Sequence, residues 1–100
     1  MMFHETIDFE WDSGNKQKNW LKHKVTSKEA EEAFSDKIAV VFSDIRHSEN
    51  EERYVLIGKT RQERIVFIVF TFRGEKIRII SARDANKKEV SNYEKEARVA

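Results

Sequence analysis

Ile65-Val66-Phe67-Ile68-Val69-Phe70-Thr71-Phe72-Arg73-Gly74-Glu75-Lys76-Ile77-Arg78-Ile79-Ile80-Ser81-Ala82-Arg83 is the stretch that decides the fold. β-branched and aromatic residues come in runs of strand length, which predicts strands over 64–73 and 76–83. The first run is apolar on both faces, as a central strand is when helices cover one side and more protein the other. Gly74-Glu75 suits a two-residue hairpin loop of type II′, with glycine in the first central position. That loop sets the register. If Arg73 pairs with Lys76, Thr71 faces Arg78 and Val69 faces Ile80, so Arg73, Thr71 and Arg78 share one face while Ser81 and Arg83 share the other. A bulge between Arg78 and Arg83 would merge the two sets.

Working outward, further strands are expected near 38–43 and 53–58, and a short N-terminal one where Ile7, Phe9 and Trp11 alternate with polar residues. Asp12-Ser13-Gly14 ends that strand and opens a polar helix over about 15–24, with Lys16, Asn19, Trp20 and His23 on one face. Thr26-Ser27-Lys28-Glu29 has the spacing of a capping box, followed by a second short helix with Ala30, Ala33 and Phe34 inward. A last helix over about 87–98 carries Val90, Tyr93 and Ala97 as its inner stripe. The chain reads as one α+β domain over 1–100. With 100 residues, 39% hydrophobic and 37% charged, no proline, three glycines and no cysteine, it has room for one core and no sign of a linker, a disulfide, a thiolate nucleophile or a Cys-ligated zinc. No apolar run approaches the ~20 residues of a membrane span, and a cytoplasmic location is expected.

The formal charge is only +1, so local clusters matter more than the total. Lys16 to Lys24 holds Lys16, Lys18, Lys22, His23 and Lys24 without an acid, interleaved with Trp20, a pattern that suits phosphates and a stacked base as well as a solvated helix face. His47-Ser48-Glu49-Asn50-Glu51-Glu52-Arg53 brings an imidazole, carboxylates and a guanidinium to the start of a strand, where proton transfer or a polar ion-paired turn are both reasonable. Arg73, Arg78 and Arg83 offer guanidinium forks that match phosphate and would stabilise the added charge of a pentacoordinate transition state. Cross-strand ion pairing is the alternative use of such arginines. His4, His23 and His47 are widely spaced, and neither a metal nor another cofactor is expected. A small basic site without cofactor can still cleave RNA, since the 2′-OH supplies the nucleophile.

Phe9-Glu10-Trp11-Asp12, Asn15, Lys18-Asn19, Lys22-His23, Val25, Glu32-Ala33-Phe34, His47-Ser48-Glu49, Glu51-Glu52-Arg53, Gly58, Arg73 and Ile77-Arg78-Ile79-Ile80-Ser81-Ala82-Arg83 together resemble the BrnT-type toxins. The resemblance runs from about Ile7 to Glu94. It implies a RelE-like fold, a small antiparallel sheet against two N-terminal helices and a C-terminal helix, and a toxin of a type II toxin–antitoxin system that cuts RNA. It also implies a ribbon-helix-helix antitoxin partner, with operator DNA reached only through the complex. On the family's pattern the site residues are Trp11, Lys22, His23, His47, Glu52, Arg53, Arg73, Arg83 and Tyr93. His23 or Glu52 would serve as general base, Arg73 and Arg83 would hold the scissile phosphate, Lys22 the RNA backbone, and Tyr93 or His47 would protonate the leaving oxygen. Arg78 joins them as a substrate-binding arginine of the hairpin. Two departures stand out: Ser13 where the family often has proline, and Lys24 where it often has glycine. The alternative is a non-catalytic binding module that pairs with an antitoxin and assists operator repression.

Overall fold

The computed structural model describes residues 7–11, 13–44 and 51–99. The elements are β1 (Asp8–Glu10), α1 (Ser13–His23), α2 (Ser27–Ala33), β2 (Val40–Ser43), β3 (Tyr54–Lys59), β4 (Ile65–Arg73), β5 (Lys76–Asp84) and α3 (Lys87–Val99). The strands form one five-stranded sheet in the order β1-β5-β4-β3-β2. β2 through β5 run antiparallel to their neighbours, but β1 pairs with β5 in parallel, Phe9 against Ile77. The expected antiparallel sheet is therefore a mixed one. Alternation within a strand shows which face is buried; it carries no information about which distant strand it pairs with, or in which direction.

β4 occupies the centre of the sheet, and its alternation explains a run that is apolar throughout. Val66, Ile68 and Phe70 are fully buried beneath α2 and its flanks, together with Leu56, Ile79 and Ala82 from the neighbouring strands. Phe34, just past α2, sits edge-on to Phe9 at 5.2 Å and to Phe70 at 5.0 Å, and so joins β1 to β4 through contacts worth about 0.5–1.5 kcal/mol each. Ile65, Phe67 and Val69 point the other way, toward Val55, Ile57 and Tyr93 of α3. Among the described residues no helix is long and apolar enough to cross a membrane.

The β4–β5 hairpin keeps its expected register near the turn, Arg73 against Lys76 and Thr71 against Arg78. Gly74 has φ +62 and Glu75 is not among the positive-φ residues, the pattern of a II′ turn. Beyond Arg78 the register slips: Phe70 pairs with Ile79 and Val69 with Ser81, so Ile80 is an extra residue and the expected Val69–Ile80 pairing is corrected. From there on β5 presents the opposite parity.

β1 is too short to cover all of β5, and the open backbone beyond Arg78 needs another partner. Asn19 of α1, 3% exposed, supplies it by accepting from the Ala82 N–H at 3.2 Å. The α2 capping box forms as its spacing implies, with Thr26 Oγ1 accepting from Glu29 N and Glu29 Oε1 accepting from Thr26 N. Lys24 directly follows α1, and its φ of +55 lies in the left-handed region. A glycine is natural there. Lys24→Gly is expected to stabilise the fold by up to about 1 kcal/mol in denaturant unfolding, because a side chain is strained in that conformation. Gly58→Ala should act in the opposite sense, since an added Cβ would lie 2.7 Å from the Ala33 carbonyl oxygen and force α2 away from β3. A loss of about 1–3 kcal/mol is expected in the same measurement.

Candidate active site

The slip at Ile80 places Ser81 and Arg83 on the same face as Thr71, Arg73 and Arg78, the face turned away from α1 and α2. Arg53 comes to this face from the start of β3, one step beyond the Tyr54–Phe70 pair and so beside Thr71. Thr71 Oγ1 donates to the Glu52 carbonyl at 2.7 Å and fastens the segment that carries Arg53 to the sheet. Arg53 and Arg83 line one open depression of about 440 Å³, floored by Phe67 and Val69 and bounded on the β2 side by Phe42 and Asp44. That size falls within the ~300–1,000 Å³ typical of small-molecule and cofactor sites.

Arg83 is held on two sides. Its guanidinium lies 4.0 Å over the Phe67 ring, and its two terminal nitrogens donate to Glu89 of α3 at 2.8 and 2.9 Å. Glu89 is itself fixed at the start of α3, where it accepts from Asn86 N and its own N–H donates to Asn86 Oδ1. Burial works to raise the Glu89 carboxyl, but the Arg83 fork and the Asn86 bond outweigh it and hold the group below its ordinary 4.5. Arg78 approaches Glu10 of β1 at 3.9 Å, and Arg73 is exposed beside the hairpin turn. Four of the expected site arginines thus share a face, two of them in one depression.

The other expected residues lie elsewhere. His23 ends α1 on the far side of the sheet, where its carbonyl accepts from Arg64 at 3.1 Å, and Lys22 is exposed one residue before it. Trp11 also belongs to that side: its indole N–H donates to Glu31 of α2 at 2.7 Å, and its ring packs against the larger core. The Glu52 carboxylate accepts from the Tyr54 hydroxyl at 2.7 Å, which raises the phenol above its usual value. Tyr93 is 2% exposed, and its hydroxyl donates to Asp36, a carboxylate that also accepts from the backbone of Ile38 and Lys59. Burial first, and the Asp36 contact second, push that phenol well above its ordinary 10.0. In this position Tyr93 anchors α3. His47 lies outside the described residues. Among the described residues, no three His, Asp or Glu side chains are grouped as a metal site would need.

Sequence reasoning missed Glu89, Phe42 and Asp44. Glu89 had a legible signal, since Asn86-Lys87-Lys88-Glu89 has capping-box spacing. Phe42 and Asp44 had none, because only the sheet order places β2 beside this depression.

The family model described as "Ribonuclease toxin, BrnT, of type II toxin-antitoxin system" matches residues 11–89, most of the chain and most of the sheet just described. This chain belongs to the BrnT ribonuclease toxin family. Its fold is similar to the 1.1 Å crystal structure of the Brucella abortus ribonuclease toxin BrnT, with a TM-score of 0.62 and 25% sequence identity, covering 82% of this chain and all of that one. No curated protein matches the chain. The matched span includes Arg53, Arg73, Arg78, Arg83 and Glu89 and stops short of Tyr93.

Arg64 joins the elements behind the site. It donates to Glu29 of α2 at 3.1 Å, to Asp84 of β5 at 2.6 Å, and to the carbonyls of His23 and Lys24 that end α1. The Arg64 bond holds Asp84 below its ordinary 3.8; for Glu29, burial opposes, but bonds from Thr26 and Arg64 bring it below its ordinary 4.5. Both carboxylates have folded values below unfolded ones, so they stabilise the fold above the unfolded values, and that contribution is lost as pH falls through the folded values. Denaturant midpoints measured from about pH 7 to about pH 3 should fall below pH 4.5, and Arg64→Ala should flatten that acid limb. An unchanged limb in the variant would assign the acid sensitivity to other groups.

Proposed function

We propose that this toxin is an endoribonuclease that cleaves RNA without a metal ion, the 2′-OH attacking the adjacent phosphorus while the 5′-oxygen leaves, and that Arg53 and Arg83 carry the phosphate. The observation behind this reading is that the bulge at Ile80 brings Arg83 onto the face of Arg53, so that two arginines border one depression. Charge builds on the non-bridging oxygens as the phosphorus becomes pentacoordinate, and positioned guanidinium forks stabilise it without reorganisation. Arg83 is pre-oriented by Phe67 and Glu89, which lowers the entropy lost when it meets a phosphate. Arg78 and Arg73 extend the positive row toward the hairpin and would follow the RNA backbone.

Of the two expected bases, His23 lies across the sheet from this depression, and Glu52 directly precedes Arg53 in an exposed segment but accepts from the Tyr54 hydroxyl on the α1 and α2 face. In our reading the exposed Glu52 side chain leaves Tyr54 and turns toward Arg53 to take the 2′-OH proton. The partner in this reading is a ribbon-helix-helix antitoxin, and operator DNA is reached only through the complex.

Incubating the protein with a defined RNA in EDTA should give fragments ending in 2′,3′-cyclic phosphate. Arg83→Ala and Arg53→Ala should each lower the cleavage rate by a factor on the order of 10²–10⁴. Glu52→Gln should cut more slowly than His23→Ala. Intact RNA and undisturbed growth on expression without a partner would instead favour the binding-module alternative.

A further inference from the structure

The depression has a second wall that the phosphate chemistry does not use. Phe42 lies on the outer strand β2 opposite Val55, on the same face as the arginines, and 45% of it is exposed. Asp44 follows two residues later, its backbone N–H bonded to the Arg53 carbonyl at 2.8 Å, and it lines the depression beside Phe42. A flat aromatic surface left open at the lip of a phosphate site is a stacking platform for a base. A carboxylate next to it accepts hydrogen bonds and does not donate.

We propose that Phe42 and Asp44 form the base-recognition half of this site and select guanine, an inference that rests on the face being the RNA-cleaving one. The selection follows from the edges of the bases. Guanine presents two adjacent donors, N1–H and the N2 amino group, which match the two oxygens of a carboxylate. Adenine and cytosine set their amino donor beside a ring-nitrogen acceptor, and uracil flanks its single N–H with two carbonyls. Each of these places an acceptor against the carboxylate and loses one bond while suffering repulsion from the other oxygen. Asp44 has contacts of its own, which a bound guanine would have to share or replace. Arg53 and Arg83 then meet the phosphate attached to the stacked nucleotide, and the cut falls next to guanosine.

Two measurements test this independently of each other. The first is binding of the 3′-monophosphates of guanosine, adenosine, cytidine and uridine to the parent protein, to Asp44→Asn and to Phe42→Ala, followed by NMR titration. Guanosine 3′-monophosphate should bind about tenfold more tightly than the other three, the discrimination of one bidentate contact. Asp44→Asn should abolish that preference and move it toward adenine, whose amino donor and ring acceptor suit an amide. Phe42→Ala should weaken all four by similar factors. Both positions lie at the sheet edge, and thermal unfolding of each variant checks that the fold is kept. The second measurement maps the cuts in an RNA containing all four bases in varied contexts, where parent cuts should cluster beside guanosine and Asp44→Asn cuts should not. Equal binding of the four nucleotides, or a guanine preference that survives Asp44→Asn, would overturn the proposal. Guanine-selective binding with RNA left intact would keep the base site and reject the cleavage reading. Unselective cutting with unselective binding would do the reverse.

Discussion

One residue too many in β5 organises this molecule. Ile80 has no partner on β4, so the strand shifts by one position between Ile79 and Ser81 and everything after it changes side. Without that slip Arg83 would lie on the face covered by α1 and α2, where burying a guanidinium requires a paired charge. With it, Ala82 takes the buried position and Arg83 stands over Phe67 on the open face. A bulge of this kind re-aims a side chain while the rest of the ladder stays intact. The hairpin's Gly74 turn holds the register on the near side, and the Asn19 bond to Ala82 holds it on the far side.

Polar hubs rather than apolar area alone tie the helices to the sheet. Arg64 links α2 to β5 and caps the end of α1, Asp36 receives Tyr93 together with two backbone N–H groups, and Glu89 both caps α3 and clamps Arg83. Each hub satisfies groups that would be costly to leave unpaired at a crowded junction. They also separate two roles. Asp36 and Tyr93 set where α3 lies, while Glu89 sets how Arg83 is presented.

Much of the fold was legible because it depends on local alternation. The two long strands, the II′ turn, the α2 capping box and the C-terminal helix all follow from patterns within a dozen residues, and the structure places them close to where those patterns lie. The site was legible only in part. The arginines were visible as a residue type suited to phosphate, and the family resemblance pointed to the same positions, yet their convergence hangs on a bulge that alternation permits but does not require. Tyr93 carries the same phenol whether it serves chemistry or packing. Its burial against Asp36, a carboxylate 57 positions away, is a fact of the tertiary structure.

Local pattern in the chain was therefore enough for most of the elements, for the buried faces short of the slip in β5 and for the family, because helix and strand periodicity and short motifs are properties of neighbouring residues. Only the tertiary structure decided that β1 joins β5 in parallel, that Arg53, Arg83, Phe42 and Asp44 border one depression, and that His23 lies on the other side of the sheet. These depend on strand order and on a single slip in register. Both are set by how two packed layers close over β4, and contacts between residues far apart in the chain leave no periodic trace within it.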